Sequence, residues 1–501
     1  MATERVTRRA RAWLGAPVDA AGVACFRIAF GLLMACSSVR FAARGWIDEL
    51  FVAPRFHFAY PGFEWLAPWP APWLYAHFAL MTVAALGVAF GYRYRTSALL
   101  LFLTFSSAEL FDQTYYLNHY YLSSLLAGLC CVLPLQRTWS LDAWFETHRK
   151  ARRREVQEPK NSVFLPSRLP VKSIFPLPTV ARAVPFVLRA QLAVVYVFAG
   201  VAKLDGDWLL RGEPLRTWLQ VHAELPLVGG LLQLPGTALA LSWSGALFDL
   251  SIVALLCLRR TRALAYLAVI AFHSFTALLF PIGVFPWLMI ALTPVFFAHD
   301  WPRRWLARAL PARAERSAGT MFGAALPLRP LGGLATIALG AYLLIQIALP
   351  LRHLAYPGPV NWGEEGFRFA WRVMLIEKTG RVTLRVLDHD SGEELAVDPR
   401  AELSARQYAQ MAVQPLLISA YAHHVAERFT AQGRHVAVYA DAWASLNGRP
   451  AQRLIDPDAD LSRSRSRSLF ATDTAVLGAL AVEPPASTAR STAATAPRSA
   501  W

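Results

Sequence analysis

Stretches of about 20 apolar residues, separated by charge and turn residues, recur along this 501-residue chain. A helix of that length crosses the hydrocarbon core of a bilayer. Within lipid only helices and closed barrels satisfy their own backbone, so few other folds are open to such a chain. Nine candidate spans are read, at about 20–40, 73–92, 96–111, 119–135, 183–203, 237–258, 262–280, 284–299 and 331–350, the third and eighth being short. The chain is 55% hydrophobic and 17% charged, against roughly a quarter charged in soluble domains. That excludes a disordered chain and argues against a soluble globule.

The net charge of +16 could belong to a nucleic-acid patch or to the cytoplasmic loops of a membrane protein. With the N-terminus inside and the segments alternating, inside segments hold 25 Lys or Arg and outside loops hold 5. This asymmetry places the charge on the cytoplasmic face and predicts a lipid bilayer, with no nucleic acid, as partner. Nine spans then leave the C-terminal part outside. Arg8-Arg9 and the run Leu33-Met34-Ala35-Cys36 loosely resemble export signals. The first apolar run is too long for a cleavable leader, and an uncut signal-anchor helix is expected. All five cysteines fall inside spans and read as small apolar core residues.

The expected fold is therefore a polytopic α-helical membrane protein of about nine spans, N-in and C-out, with a C-terminal extracytoplasmic domain of mixed α/β, strand-rich character. The predicted boundaries are a basic cytoplasmic segment at 1–19, the helical domain at 20–350, the outer domain at 351–460 and a disordered tail at 461–501. In the outer domain Phe367–Glu377 reads as a strand, and Val382–Leu387 with Glu394–Val397 as a hairpin. Residues 403–429 read as a helix, and His435–Leu446 with Gln452–Ile455 as strands around an Asn447-Gly448 turn. The Ser-Arg repeat at 462–468 reads as a solvated tail.

Ionisable groups inside spans are costly and are functional candidates by default. They are Arg27, Arg189, Lys203, Asp249, Glu109, His119 and His273. Arg27 or Arg189 with Asp249 is the expected structural ion pair. Lys203 closes the fifth span at its outer end, where lysines are disfavoured, and Asp205 and Asp207 follow it. Two readings stand for it: a snorkelling cation, or a lysine whose burial lowers its pKa so that it serves as a general base. Asn118, His119 and His273 are predicted at the same outer depth, beneath the outer domain. Asn118-His119 could equally belong to an interfacial aromatic belt. The chain has no His-Glu-x-x-His, Cys-x-x-Cys, P-loop or Gly-x-Gly-x-x-Gly motif, so an apolar cofactor dissolved in the membrane is expected in preference to a metal or a nucleotide.

These residues resemble the vitamin K-dependent γ-glutamyl carboxylases and their bacterial relatives, the horizontally transferred transmembrane domain family. The resemblance spans roughly residues 20–460. It is carried by Cys25-Phe26-Arg27, Asn118-His119, and Arg189-x-Gln191 leading to Val201-x-Lys203-Leu204-Asp205-x-Asp207-Trp208. Further matches are Leu247-x-Asp249, Phe272-His273, Ile282-Gly283-x-Phe285, Asn361-Trp362, Trp371 with Met374, and Asp441-x-Trp443-x-Ser445-x-Asn447.

The resemblance implies that Lys203 deprotonates vitamin K hydroquinone, that O2 converts the quinol anion into a very strong alkoxide base, and that this base removes a glutamate γ-proton for addition to CO2. It implies that Asn118, His119 and His273 line the head-group and oxygen region, with Trp371 and Met374 closing it from above. Arg27, Arg189, Gln191, Asp205 and Asp249 become supporting residues. It implies a quinol taken from the membrane and a Glu-containing secreted protein or peptide as substrate. The chain departs from the animal pattern at Ala202, where animal members have a second lysine, and in lacking cysteines that join a membrane loop to a longer outer domain. Epoxidation without carboxylation, or a transporter or scaffold, are the alternatives. Ala/Arg-rich usage points to a bacterial inner membrane, or to the endoplasmic reticulum membrane in a eukaryotic host.

Overall fold

The computed structural model describes residues 2–157, 178–226, 228–309, 332–463 and 477. Helices stand at all nine predicted positions. Six are long and apolar enough to cross a membrane: α2 (Ala21–Ala43), α3 (Ala71–Phe90), α7 (Ala183–Ala202), α10 (Thr237–Cys257), α11 (Arg262–Leu279) and α14 (Gly333–Leu351). The other three are shorter: α4 (Tyr94–Leu110), α5 (Asn118–Val132) and α12 (Phe285–Leu292). Three helices rich in arginine gather at the end away from the outer domain: α1 (Ala2–Gly15), α6 (Leu141–Gln157) and α13 (Trp301–Ala309). Short helices α8 (Leu215–Gln220) and α9 (Gly229–Leu232) lie between α7 and α10.

Small residues set the close crossings. A Cβ on Gly31 would stand 2.5 Å from the Ala89 backbone, so α2 and α3 touch main chain to main chain there. A Cβ on Gly200 would meet Leu250 at 2.9 Å, which brings the last turn of α7 against α10. One continuous apolar core links α2 to α5, α7 and α12. By contrast, α14 buries only Gln346 and Pro350 and turns most of its surface outward. At the arginine-rich end, strand β1 (Pro17–Asp19) pairs antiparallel with β2 (Thr179–Ala181), an element with no periodic signal in the sequence.

The outer domain is a four-stranded antiparallel sheet in the order β4-β3-β5-β6, backed by two helices. β3 (Lys378–Asp388) and β5 (Val436–Leu446) pair along their whole length. β4 (Glu394–Val397) forms the predicted hairpin with β3, and β6 (Gln452–Arg453) returns after Asn447-Gly448. The alternating burial of β5 turns one face onto α17 (Pro415–Thr430).

Two expectations for this domain are corrected. Residues 403–429 are two helices, because Pro415 starts α17 after α16 (Ala405–Met411) has ended. Phe367–Glu377 is not a strand. A short helix, α15 (Val360–Gly363), precedes it, and Phe369, Trp371 and Met374 have φ of 63°, 56° and 58°. Left-handed residues cannot continue a pleat. The segment instead threads along the helical body, with Phe369 against Tyr116 and Tyr121, and Trp371 stacked on Tyr121 at 4.9 Å. The predicted tail lies outside the described residues apart from 461–463 and Leu477.

Candidate functional site

Lys203 caps the C-terminal end of α7, where unpaired carbonyls favour a cation. It is 5% exposed. Its Nζ donates to Asp249 Oδ2 of α10 at 2.8 Å and to its own helix at Ala199 O at 3.4 Å. The Trp208 ring lies beneath Nζ with its centroid 5.2 Å away, and Trp208 Nε1 is pinned to Ser242 O. The expected pairing of Asp249 with an arginine is thereby corrected: its partner is Lys203. Arg27 and Arg189 lie at the opposite end of the bundle. Arg27 donates to the carbonyls of Val88, Ala89 and Trp139. Arg189 donates to those of Val295 and Phe297. Backbone carbonyls thus take three hydrogen bonds from Arg27 and two from Arg189 in place of a counter-ion.

The Lys203–Asp249 pair faces a cavity of about 320 Å³. Its walls are largely aromatic and apolar, with Tyr196, Trp208, Phe272 and Phe285 prominent. His273 of α11 enters it. Its Nε2 is bonded to the Tyr196 hydroxyl at 3.0 Å, while its buried Nδ1 has no hydrogen-bond partner among the described residues. Ser244 and Phe275, which also line the cavity, are exposed on α10 and α11, so it reaches the lateral surface of the helical body.

Asn118 and His119 line a second cavity of about 200 Å³, together with Arg40, Glu109 and Arg406. Phe285, Ile282, Val373 and Met374 line both cavities and form the partition. The ring of Phe285 lies 5.9 Å from His119 and 5.8 Å from His273. The four residues expected to converge thus fall in two adjoining cavities, Lys203 with His273 and Asn118 with His119, separated by Phe285, Ile282, Val373 and Met374. His119 Nε2 is buried without a partner among the described residues. A Cβ on Gly283 would stand 3.6 Å from that nitrogen and 3.5 Å from Arg40 Nη2, so the bare glycine leaves the two basic groups a shared opening. Asn118 accepts from the Tyr116 hydroxyl and donates to Arg372 O at 3.2 Å, tying α5 to the outer domain. Burial pulls Arg406 of the outer domain down to about 10.

The remaining predicted residues divide. Met374 lines both cavities, whereas Trp371, 1% exposed, lines neither and braces Tyr121. Gln191 accepts from the Tyr342 hydroxyl at 2.6 Å and joins α7 to α14. Asp205 caps the turn below Asp207, accepting from its backbone N–H. Sequence reading gave no role to Trp208, Phe285, Arg40 or Arg406, and no periodicity could have assigned one. The contact of Arg406 with Tyr115, a guanidinium 5.1 Å from the ring, joins residues far apart in the chain. A polar cleft of about 440 Å³, lined by His57, Arg352, Arg368 and His424 among others, lies between the 56–64 loop and the outer domain and contains none of the predicted site residues. Among the described residues no group of three or more His, Cys, Asp or Glu is disposed to hold a metal ion.

Comparison with known proteins gives two matches. A family model described as HTTM domain matches residues 16–163 and 176–301. One described as vitamin K-dependent gamma-carboxylase, lumenal domain, matches residues 332–477. No solved structure matches the chain.

Proposed function

The chain belongs to the HTTM domain family and carries a region of the vitamin K-dependent gamma-carboxylase lumenal-domain type, and we propose that it is a membrane-embedded, vitamin K hydroquinone-dependent γ-glutamyl carboxylase and epoxidase. The observation that carries this reading is the buried Lys203–Asp249 pair on the wall of an apolar cavity with lateral access.

A reduced naphthoquinone suits that cavity: aromatic walls would hold its rings, and His273 Nδ1 and the Lys203 amine are among the polar groups available to its hydroxyls. When bound, and with O2 and CO2, it would supply the base needed to remove a glutamate γ-proton. Lys203 Nζ takes the quinol proton, and Asp249 orients Nζ and balances the charge it gains. His273, fixed by Tyr196, holds the ring in register through Nδ1. Phe285 and Met374 keep water from the reacting atoms, since an exposed strong base would be quenched. Arg40 and Arg406, beside His119 and Glu109, support reading the second cavity as the holder of the glutamate side chain, across Phe285 from the quinol. In this reading the chain is oriented N-in and C-out, and the outer domain presents the substrate protein from the extracytoplasmic side.

The test supplies purified protein with reduced vitamin K, a Glu-containing peptide and labelled bicarbonate, and scores epoxide and fixed label separately. Both products are expected. Epoxide without label demotes the carboxylase to an epoxidase, and neither product from folded protein overturns the enzyme reading in favour of a transporter or scaffold.

A further inference from the structure

Asp207 sits four residues beyond Lys203, in a wide helical turn at Asp207–Arg211, and is 9% exposed. Its carboxylate receives Arg449 through two hydrogen bonds of 2.6 and 2.5 Å, Arg211 at 3.1 Å, and Asn447 Nδ2 at 2.9 Å. Burial alone would raise this carboxyl, but Arg449, Asn447 and Arg211 outweigh it and hold Asp207 below the usual carboxylate range. Asn447 is fully buried in the left-handed region, at φ 50° in the Asn-Gly turn between β5 and β6. The rest of its amide reaches the segment that follows Val373 and Met374: Nδ2 also donates to Leu375 O at 3.3 Å, and Oδ1 accepts from Glu377 N at 2.8 Å.

One turn of the outer sheet therefore grips two segments. The first is the turn containing Trp208, whose ring lies beneath Lys203 Nζ. The second directly follows Val373 and Met374, the residues shared by both cavities. We propose that Asp207 and Asn447 are positioning residues that clamp the outer domain to the Lys203 turn and so set the separation between the two walls of the quinol cavity. This rests on the function proposed above for that cavity. The clamp is non-covalent and built from a bidentate arginine and a two-sided amide, a geometry with fixed direction as well as strength.

The test uses the full chain with its five cysteines replaced by alanine and Leu375→Cys added, since Leu375 is 3% exposed behind Trp208. A water-soluble maleimide reads opening of the wall. Asn447→Asp keeps the turn conformation but sets a carboxylate against Asp207. It is expected to speed labelling at least tenfold and to lower turnover at least tenfold, with quinol KM changed less than twofold and more epoxide formed per carboxylation. The exchange Asp207→Asn with Asn447→Asp restores a donor–acceptor pair and recovers part of both. Unchanged labelling in the folded variant overturns the proposal whatever turnover does. If Asn447→Asp does not fold, Arg449→Lys, which keeps the charge but loses the two-pronged contact, is read in the same way. A parent chain that yields neither product overturns the functional reading alone, because labelling still decides the clamp.

Discussion

The two ends of the helical body both bury cations, and they satisfy them differently. At the arginine-rich end Arg27, with no exposed surface, is held by carbonyls of the last turn of α3 and by Trp139 O. Arg189 is held by Val295 O and Phe297 O. These carbonyls are the negative ends of peptide dipoles, so each guanidinium closes a joint between segments. At the other end Lys203 has a carboxylate partner, an aromatic floor and a cavity in front of it. A buried cation spent on backbone carbonyls joins segments, whereas one that shares a carboxylate and lines a cavity is placed for the proton transfer proposed above.

The sharpest challenge to this contrast is Lys203→Met. Turnover is expected to fall about 1,000-fold, within the range of a lost proton-transfer group, while thermal unfolding shows a folded chain; appreciable turnover would erase the distinction between the ends. Arg27→Met should do the reverse. It strands three carbonyls, costs about 3 kcal/mol in denaturation, and leaves turnover per folded molecule unaltered. Loss of turnover in a folded Arg27 variant would make the far end part of the chemistry.

Asp249→Asn retains a hydrogen-bond acceptor for Nζ but not its charge. About a 100-fold fall in turnover is expected, and a fall as small as that of a remote substitution would assign Asp249 to packing. The smallest effect concerns pH. Asp207 titrates lower in the folded chain than when unfolded, so its stabilisation is complete above the unfolded carboxylate value, about pH 4, and fades as pH drops through the lower folded value. Denaturation followed from pH 7 to pH 2 should therefore show a shallower acid loss in Asp207→Asn than in the parent. Asp388, held low by Arg434, leaves a residual slope in both.

Much of the helical body is legible from composition, because a run of apolar side chains long enough to span lipid has few alternatives to a helix. All nine apolar runs became helices, with ends within about three residues of those expected except in the eighth, where α12 stops at Leu292 and a 3-10 turn follows. The outer sheet was legible at its turns, where Asp388–Gly392 and Asn447-Gly448 punctuate alternating strands. What escaped is what depends on a partner distant in the chain. Phe367–Glu377 alternates like a strand, yet its backbone is set by the aromatic surface it lies on. The count of charges in spans suggested an Asp249–arginine pair, but the choice among three cations depends on which end of a helix each occupies. Lys203 and Asp249 were both visible as intramembrane charges, and the partition by Phe285 was not, since a phenylalanine in an apolar run carries no mark of what lies on either side.

The small β1–β2 ribbon bears on how the protein is made. Pro17, Val18 and Asp19 find their strand partners only at Thr179–Ala181. Asp19 then binds Arg303, and Gly22 N donates to His299 O. A ribosome delivers these partners in that order, long after the first helix has left it. The mooring of the first helix therefore waits for the fifth apolar segment to insert, and its completion waits for the eighth. Until then the first helix is held through its crossing with α3 while the strand before it is unpaired, and the interval is set by the pace of translation.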